Sequence, residues 1–298
     1  MSIIVEYLLQ ALFWGVIFNF PLLFIIIKIK LLTMPGGILT GATIAIMTYI
    51  ISPFLWCALL AFFLTSSLIS KQSTPQKQMI IAEFSKDSTR DAIQVLSNSL
   101  PALFFGIIFL SIDFFPFIEN SGNFSFLSVS PLIYAAFASL ATHNSDTWMT
   151  EIGISTSSIP RLITNLKKEV PKGTSGGVTL KGTSAGIVGS MIISFIYLLQ
   201  LLLHSDISLI HMIVQFIFLT FAGTLGGLID SFEGATIQGL YYCEHCQKVT
   251  ERQIHRCGNK TNFFKGYRLV TNDLVNISSA LFSGIIALIG FSIIEGIF

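Results

Sequence analysis

The apolar run from Ile38 to Ile69 is broken in its middle by Tyr49-Ile-Ile-Ser52-Pro53-Phe-Leu-Trp56. How that break is read decides the fold. The run is too long for one ordinary membrane span, which needs about 20 apolar residues. Pro53 lacks the N–H that would continue a helix. Ser52-Pro53 therefore reads as a tight hairpin between two spans, 36–51 and 54–69. A single long, kinked and tilted helix is the alternative. Outward from this point, further apolar runs lie at 3–27, 100–118, 129–143, 184–203, 208–229 and 272–294. With the hairpin the chain has eight spans, and without it seven.

The basic residues discriminate between the two counts. Lys28 and Lys30 follow the first run, and Lys71, Lys77, Lys86 and Arg90 follow the third. Arg161, Lys167, Lys168, Lys172 and Lys181 follow the fifth, and Lys248, Arg252, Arg256, Lys260, Lys265 and Arg268 the seventh. These are all 17 Lys and Arg of the chain. With eight spans they share one side, which the positive-inside rule makes cytoplasmic, with both termini outside. The outer connections then carry only the acids Asp113, Glu119 and Asp206. The expected fold is an all-α polytopic protein of the cell membrane. It forms one transmembrane domain over 1–298, with larger cytoplasmic loops near 70–99, 144–183 and 230–271.

Composition agrees. Of 298 residues, 52% are hydrophobic and 11% charged, against about 25% charged in soluble domains. A net charge of +1 excludes a dedicated nucleic-acid binder, which needs a basic field. Four cysteines are too few for a disulfide scaffold. The N-terminus has no early basic cluster and no small-residue cleavage site, so it reads as the start of the first span.

Polar groups near membrane depth are costly and tend to be functional. Acids collect on the expected cytoplasmic side. His143-Asn-Ser-Asp146-Thr-Trp-Met-Thr-Glu151-Ile-Gly153 follows the fifth span, and Asp230-Ser-Phe-Glu233-Gly-Ala-Thr-Ile-Gln238 the seventh. Asn272-Asp273-Leu-Val-Asn276 opens the eighth, and Arg90, Asp91, Gln94 and Asn98 precede the fourth at helical spacing. The plain alternative is that these are helix ends needing polar caps, and His143 reads as such a cap. Asp146, Glu151 and Asp230 are oxygen donors of the kind Mg²⁺ takes when it also bridges substrate phosphates. Between them lies a basic, glycine-rich loop. Gly173, Thr174, Gly176 and Gly177 let a backbone cradle approach an anion, and Arg161, Lys167 and Lys172 supply charge. Arg161 is the first choice for a fixed contact because its planar fork suits a phosphate. A flexible basic loop is the bland reading of the same residues.

Cys243-x-x-Cys246 and His255-x-Cys257 offer three thiols and an imidazole, a donor set for structural Zn²⁺. His245 is a rival ligand, and free thiols or a redox pair are alternatives. Cys57 reads as packing inside a span. His204 and His211 fall toward the outer face and carry no assigned role.

The stretches Asp146–Gly153, Pro160-Arg161-Leu-Ile-Thr and Gly173-Thr-Ser-Gly-Gly-Val-Thr179 resemble the phytyl-phosphate kinase family of vitamin E biosynthesis, which includes animal transmembrane protein 19. So do Asp230–Gln238, the Cys243 to Gly258 segment and Asn272-Asp273-x-Val-Asn276. More distantly, the chain is similar to CTP-dependent dolichol and phytol kinases, whose Asp-x-x-Ala-x-x-x-Gly pattern is met by Asp146 and Gly153 with Met149 in place of Ala. That departure bears on tight helix packing. The resemblance implies a CTP-type nucleoside triphosphate donor, Mg²⁺ and an isoprenoid monophosphate acceptor, hence a kinase. A lipid translocase, or a cytidylyltransferase acting on a phospholipid, is the rival expectation.

Overall fold

The computed structural model describes residues 3–72, 89–121, 129–203, 207–255 and 257–297. Lys77, Lys86, His204, Asp206 and Arg256 lie outside the described residues. The helices are α1 (Ile3–Lys28), α2 (Gly36–Ile51), α3 (Pro53–Lys71), α4 (Ala92–Ser97) and α5 (Leu100–Phe109). A π-helical turn, Leu110–Phe114, joins α5 to α6 (Phe115–Ser121). Then come α7 (Pro131–Ser155), α8 (Leu180–Leu201), α9 (Leu209–Thr236) and α10 (Asn272–Glu295). Among the described residues, six helical segments are long and apolar enough to cross a membrane: α1, α3, Leu100–Ile118, α8, α9 and α10. Helix α2 is apolar but has only 16 residues. Helix α7 has 25 residues, but Ser, Thr, His, Asn and Asp interrupt its apolar sequence.

The break at Ser52 is a hairpin. Ser52 is extended, its hydroxyl accepts from Leu55 N, and Pro53 occupies the first turn of α3. The chain then runs back along α2. Lys71, at the end of α3, donates to the carbonyl of Ile29, in the connection between α1 and α2. At the other end of α2, the Tyr7 hydroxyl donates to the Ile50 carbonyl, which sets α1 beside the pair.

Helix α7 is the hub, packed by α3, α5, α8, α9 and α10. Every residue from Leu132 to Ser145 is buried. Lipid offers no hydrophobic drive between helices, so association depends on small residues and interhelical hydrogen bonds. Ala135, Ala136, Ala138 and Ala141 supply the first. Ser139 Oγ to Ala280 O at 3.1 Å and Asn144 Nδ2 to Gly189 O at 2.7 Å supply the second.

Several expectations are corrected. The helices expected to stop at 143 and 229 continue to Ser155 and Thr236, and Lys181 lies in the first turn of α8 rather than in a loop. Hydropathy tracks exposure to lipid, and these polar turns are partly buried against protein, with Asn144, Ser145, Asp230 and Glu233 the most covered. The molecule is mostly helical, not all-α. The loop 156–179 carries β1 (Arg161–Leu162), β2 (Asn165–Glu169) and β3 (Gly177–Val178), in the order β2-β1-β3. The loop 237–271 carries β4 (Leu240–Cys243), β5 (Lys248–Thr250) and β6 (Asn262–Lys265), in the order β5-β4-β6. Both sheets are antiparallel. Their strands are too short for alternation to stand out, and β2 is exposed along its whole length.

Another correction concerns the far end of the bundle, where His211 was assigned no role. Gln215 Nε2 lies 2.9 Å from Glu295 Oε1 and 2.9 Å from His211 Nε2, and Tyr197 donates to Gln215 Oε1 at 3.0 Å. His211 is therefore part of a hydrogen-bonded clasp, buried at Gln215 and Tyr197 and exposed at Glu295. Cys57 lies on the exposed face of α3 instead of packing inside.

Candidate functional site

A polar cavity of about 290 Å³ lies where the ends of α3, α4, α7, α9 and α10 meet the two sheet-bearing loops. Four carboxylates line it: Asp146 and Glu151 from α7, Asp230 from α9, and Glu251 just after β5. They interact electrostatically. Asp146 feels Glu151 and Glu251, and Asp230 feels Asp146, Glu233 and Glu251. Hydroxyls position several of them. Ser279 donates to Asp230 Oδ2 at 3.1 Å and Ser70 to Glu151 Oε1 at 2.7 Å; outside the cavity wall, Ser278 donates to Glu233.

Among the described residues, Arg90 is the one cation in the cavity wall. Its backbone is clamped at both groups, N to Leu31 O and O from Thr33 N, each at 3.0 Å. Its guanidinium lies 4.7 Å from the Phe62 ring centroid and donates to Ser66 Oγ at 2.6 Å. Burial lowers Arg90 to about 10 and the Glu151 charge opposes that, so it remains a cation at neutral pH. Next to it, Asp91 and Gln94 cap α4 reciprocally. Asn98 accepts from Asn276 Nδ2 at 3.2 Å, joining α4 to α10.

The glycine loop forms another wall. Gly173, Thr174, Ser175, Gly176 and Gly177 all line the cavity. Gly176 has φ +80°, and a Cβ there would fall 2.3 Å from Ala235 Cβ, so only glycine fits. Ser175 donates to Gln238 Oε1 and Gln238 Nε2 to Glu251 Oε1, both at 2.9 Å, linking the two loops.

The cavity thus gathers Asp146, Glu151, Asp230, Arg90, Gln94, Asn98, Gly173, Thr174, Gly176, Gly177, Gln238, Asn272 and Asn276. It does not gather the other basic candidates. Arg161 donates to Leu166 O at 3.3 Å, lies 3.9 Å from Glu169 Oε1 and is more than half exposed. Lys167 is exposed on β2, and Lys172 is bound to the Thr156 carbonyl. Asp273 accepts from Ser97 Oγ at 3.3 Å. His143 is not a cap. It is buried within α7, its ring 6.0 Å from that of Phe62. Met149 does not loosen the helix contact either. A Cβ on Gly186 would meet Met149 Cγ at 2.3 Å, so the glycine leaves room for the long side chain.

A second, apolar cavity of about 60 Å³ lies among α1, α2 and α3. Leu23, Ile26, Ala42, Ala45, Leu59 and Phe63 are among its walls. Arg90 and Asn98 line this cavity and the polar one.

The model of the integral membrane protein family DUF92 matches residues 17–284, which includes every residue of the polar cavity. The chain belongs to that family. It is therefore a multi-pass integral membrane protein, and the family expected from its motifs, that of transmembrane protein 19, is the one found. Protein PGR of Arabidopsis thaliana is 33% identical over 260 residues, covering 85% of this chain and 87% of the relative. An uncharacterized membrane protein of Methanocaldococcus jannaschii is 31% identical over 193 residues, covering 64% of this chain and 69% of that protein. No solved structure matches. In this DUF92 chain, Glu251 and Ser70 line the cavity without having been singled out from the sequence. For Glu251 the one available signal was an acid within an otherwise basic segment. Nothing distinguished Ser70 from other hydroxyls near span ends.

Proposed function

We propose that this DUF92 protein is a membrane phosphotransferase. It moves a phosphoryl group from a nucleoside triphosphate, of the CTP type, to an isoprenoid monophosphate, giving the diphosphate. One observation carries the reading: Arg90 and Asn98 belong to both the apolar groove and the acidic cavity. An acceptor with a long apolar tail and a phosphate head needs that adjacency. The head end of the tail enters among α1, α2 and α3 while the rest extends into lipid, and the head meets Arg90 at the edge of the acids.

Four carboxylates and one guanidinium repel a triphosphate unless cations accompany it. Their oxygen-rich set suits Mg²⁺, held by Asp146 and Asp230 with Glu151 in support. The metal would neutralise charge on the transferring group. The Gly173–Gly177 backbone offers N–H groups to the donor phosphates. The acceptor oxygen is already ionised at neutral pH, so no strong general base is required.

The same reading takes eight spans, both termini outside, the basic loops cytoplasmic, and residence in the cell membrane. Labelling of cysteines introduced near each terminus tests it, and termini on opposite sides would reject the even count.

The decisive assay supplies purified protein with prenyl monophosphates of several lengths and each of the four nucleoside triphosphates. The expected products are a prenyl diphosphate and a nucleoside diphosphate. A nucleotidyl lipid with pyrophosphate would replace the kinase by a cytidylyltransferase. Lipid movement without turnover would replace it by a translocase.

A further inference from the structure

We propose that Cys243, Cys246, His255 and Cys257 form a Zn²⁺ site, and that the metal holds Glu251 in the polar cavity. One ligand atom from each of the four lies within 4.8 Å of the others, and the group does not include His245. Cys243 Sγ is 3.7 Å from Cys257 Sγ. A disulfide needs about 2.05 Å. Two thiolates on one tetrahedral zinc, each about 2.3 Å from it, stand about 3.8 Å apart. His255 Nδ1 is 3.2 Å from Cys257 Sγ, near the roughly 3.5 Å edge of an N,S pair on such a metal. Asn259 Nδ2 donates to Cys257 Sγ at 3.5 Å, an outer contact of the kind that orients metal ligands.

The position of the cluster gives it a task. Cys243 ends β4, and Cys246 lies in the β4–β5 turn. His255 and Cys257 follow β5. The four ligands therefore bracket a short segment with Glu251 inside it. This three-stranded sheet has little apolar core, with β6 largely exposed and β5 mostly so. A small unit of this kind gains its rigidity from a metal. On the other side, Glu251 accepts from Gln238 at 2.9 Å. The zinc and Gln238 together fix where its carboxylate stands. The zinc site stands on its own geometry, whereas a part for Glu251 in phosphoryl transfer rests on the function proposed above.

The test uses the full chain purified without chelator. About one zinc per chain is expected by elemental analysis. Cys246→Ser and Cys257→Ser should each retain less than about one tenth of it. Cobalt exchange should give a thiolate-to-metal charge-transfer band. Chelation should open tryptic sites at the exposed Lys248 and Lys260 while the helices stay protected. Glu251→Gln should keep its zinc and lose phosphoryl transfer. Absence of both zinc and the cobalt band would refute the site. Zinc present with an unchanged digest would refute the brace. Neither readout needs a substrate, so a failed kinase assay leaves both intact.

Discussion

Ser70 Oγ donates to Glu151 Oε1 at 2.7 Å and fastens the last turn of α3 to the last turns of α7. Helix α3 carries walls of the apolar groove and α7 carries the acids, so this bond keeps the two compartments in register. A hydrogen bond to a carboxylate is worth about 1.5–3 kcal/mol, and partial exposure puts this one at the low end. Ser70→Ala should lower the thermal midpoint in detergent by about 2–4 °C. An unchanged midpoint would mean that water takes the place of the hydroxyl.

Arg90 is where the basic-loop expectation now falls. Arg161→Ala should leave turnover within about twofold, because that side chain is engaged with Leu166 and Glu169 at the surface. Arg90→Ala should cost about tenfold or more, through a lost charged hydrogen bond to phosphate worth about 1.5–3 kcal/mol. Arg90→Lys should recover only part of this, since lysine restores charge but neither the fork nor the stacking on Phe62. Turnover with a prenyl monophosphate measures all three. The opposite ranking of Arg90 and Arg161 would return the phosphate site to the basic loop.

Asp146→Asn and Asp230→Asn should each remove turnover at least about a hundredfold while the protein stays folded. Chelation of divalent cations should do the same to the native protein, and Mg²⁺ together with Zn²⁺ should restore it. Activity that survives both treatments would separate the acids from the metal.

Gly176→Ala tests the loop that faces them. The residue sits at φ +80°, and the new Cβ would clash with Ala235. Left-handed backbone and overpacking together cost about 2–5 kcal/mol. The expected result is a lower midpoint, or a displaced loop with weaker nucleotide binding by calorimetry. A stable variant with native nucleotide affinity would show that the loop neither packs tightly nor contacts the donor.

The parts of this fold legible in the sequence were those set by single residues or by side-wise counting. Pro53 marked the hairpin. The acids Asp146 and Asp230, each following an apolar run, marked the cavity. What escaped depends on contacts far apart in the chain. Asn144 and Asp146 look like the end of a span, yet α7 continues because other helices enclose it. Arg161, Lys167 and Lys172 have the right chemistry, but composition gives no direction to a side chain, and a nearby carbonyl takes Arg161 and another takes Lys172. Glu251 reaches the acids only through the register of β4 against β5, where Tyr241 faces Thr250. Arg90 owes its place between two compartments to the bridge with Leu32, which no local pattern records.

The groove among α1, α2 and α3 also changes what concentration means for this protein. Its wall includes Leu23 and Ile26 of α1, a helix most of whose large apolar side chains face outward. A ligand that enters there partitions first into the bilayer and is then drawn from two dimensions. The rate would follow its mole fraction among lipids, so inert lipid added at constant bulk molarity should slow turnover by dilution within the surface.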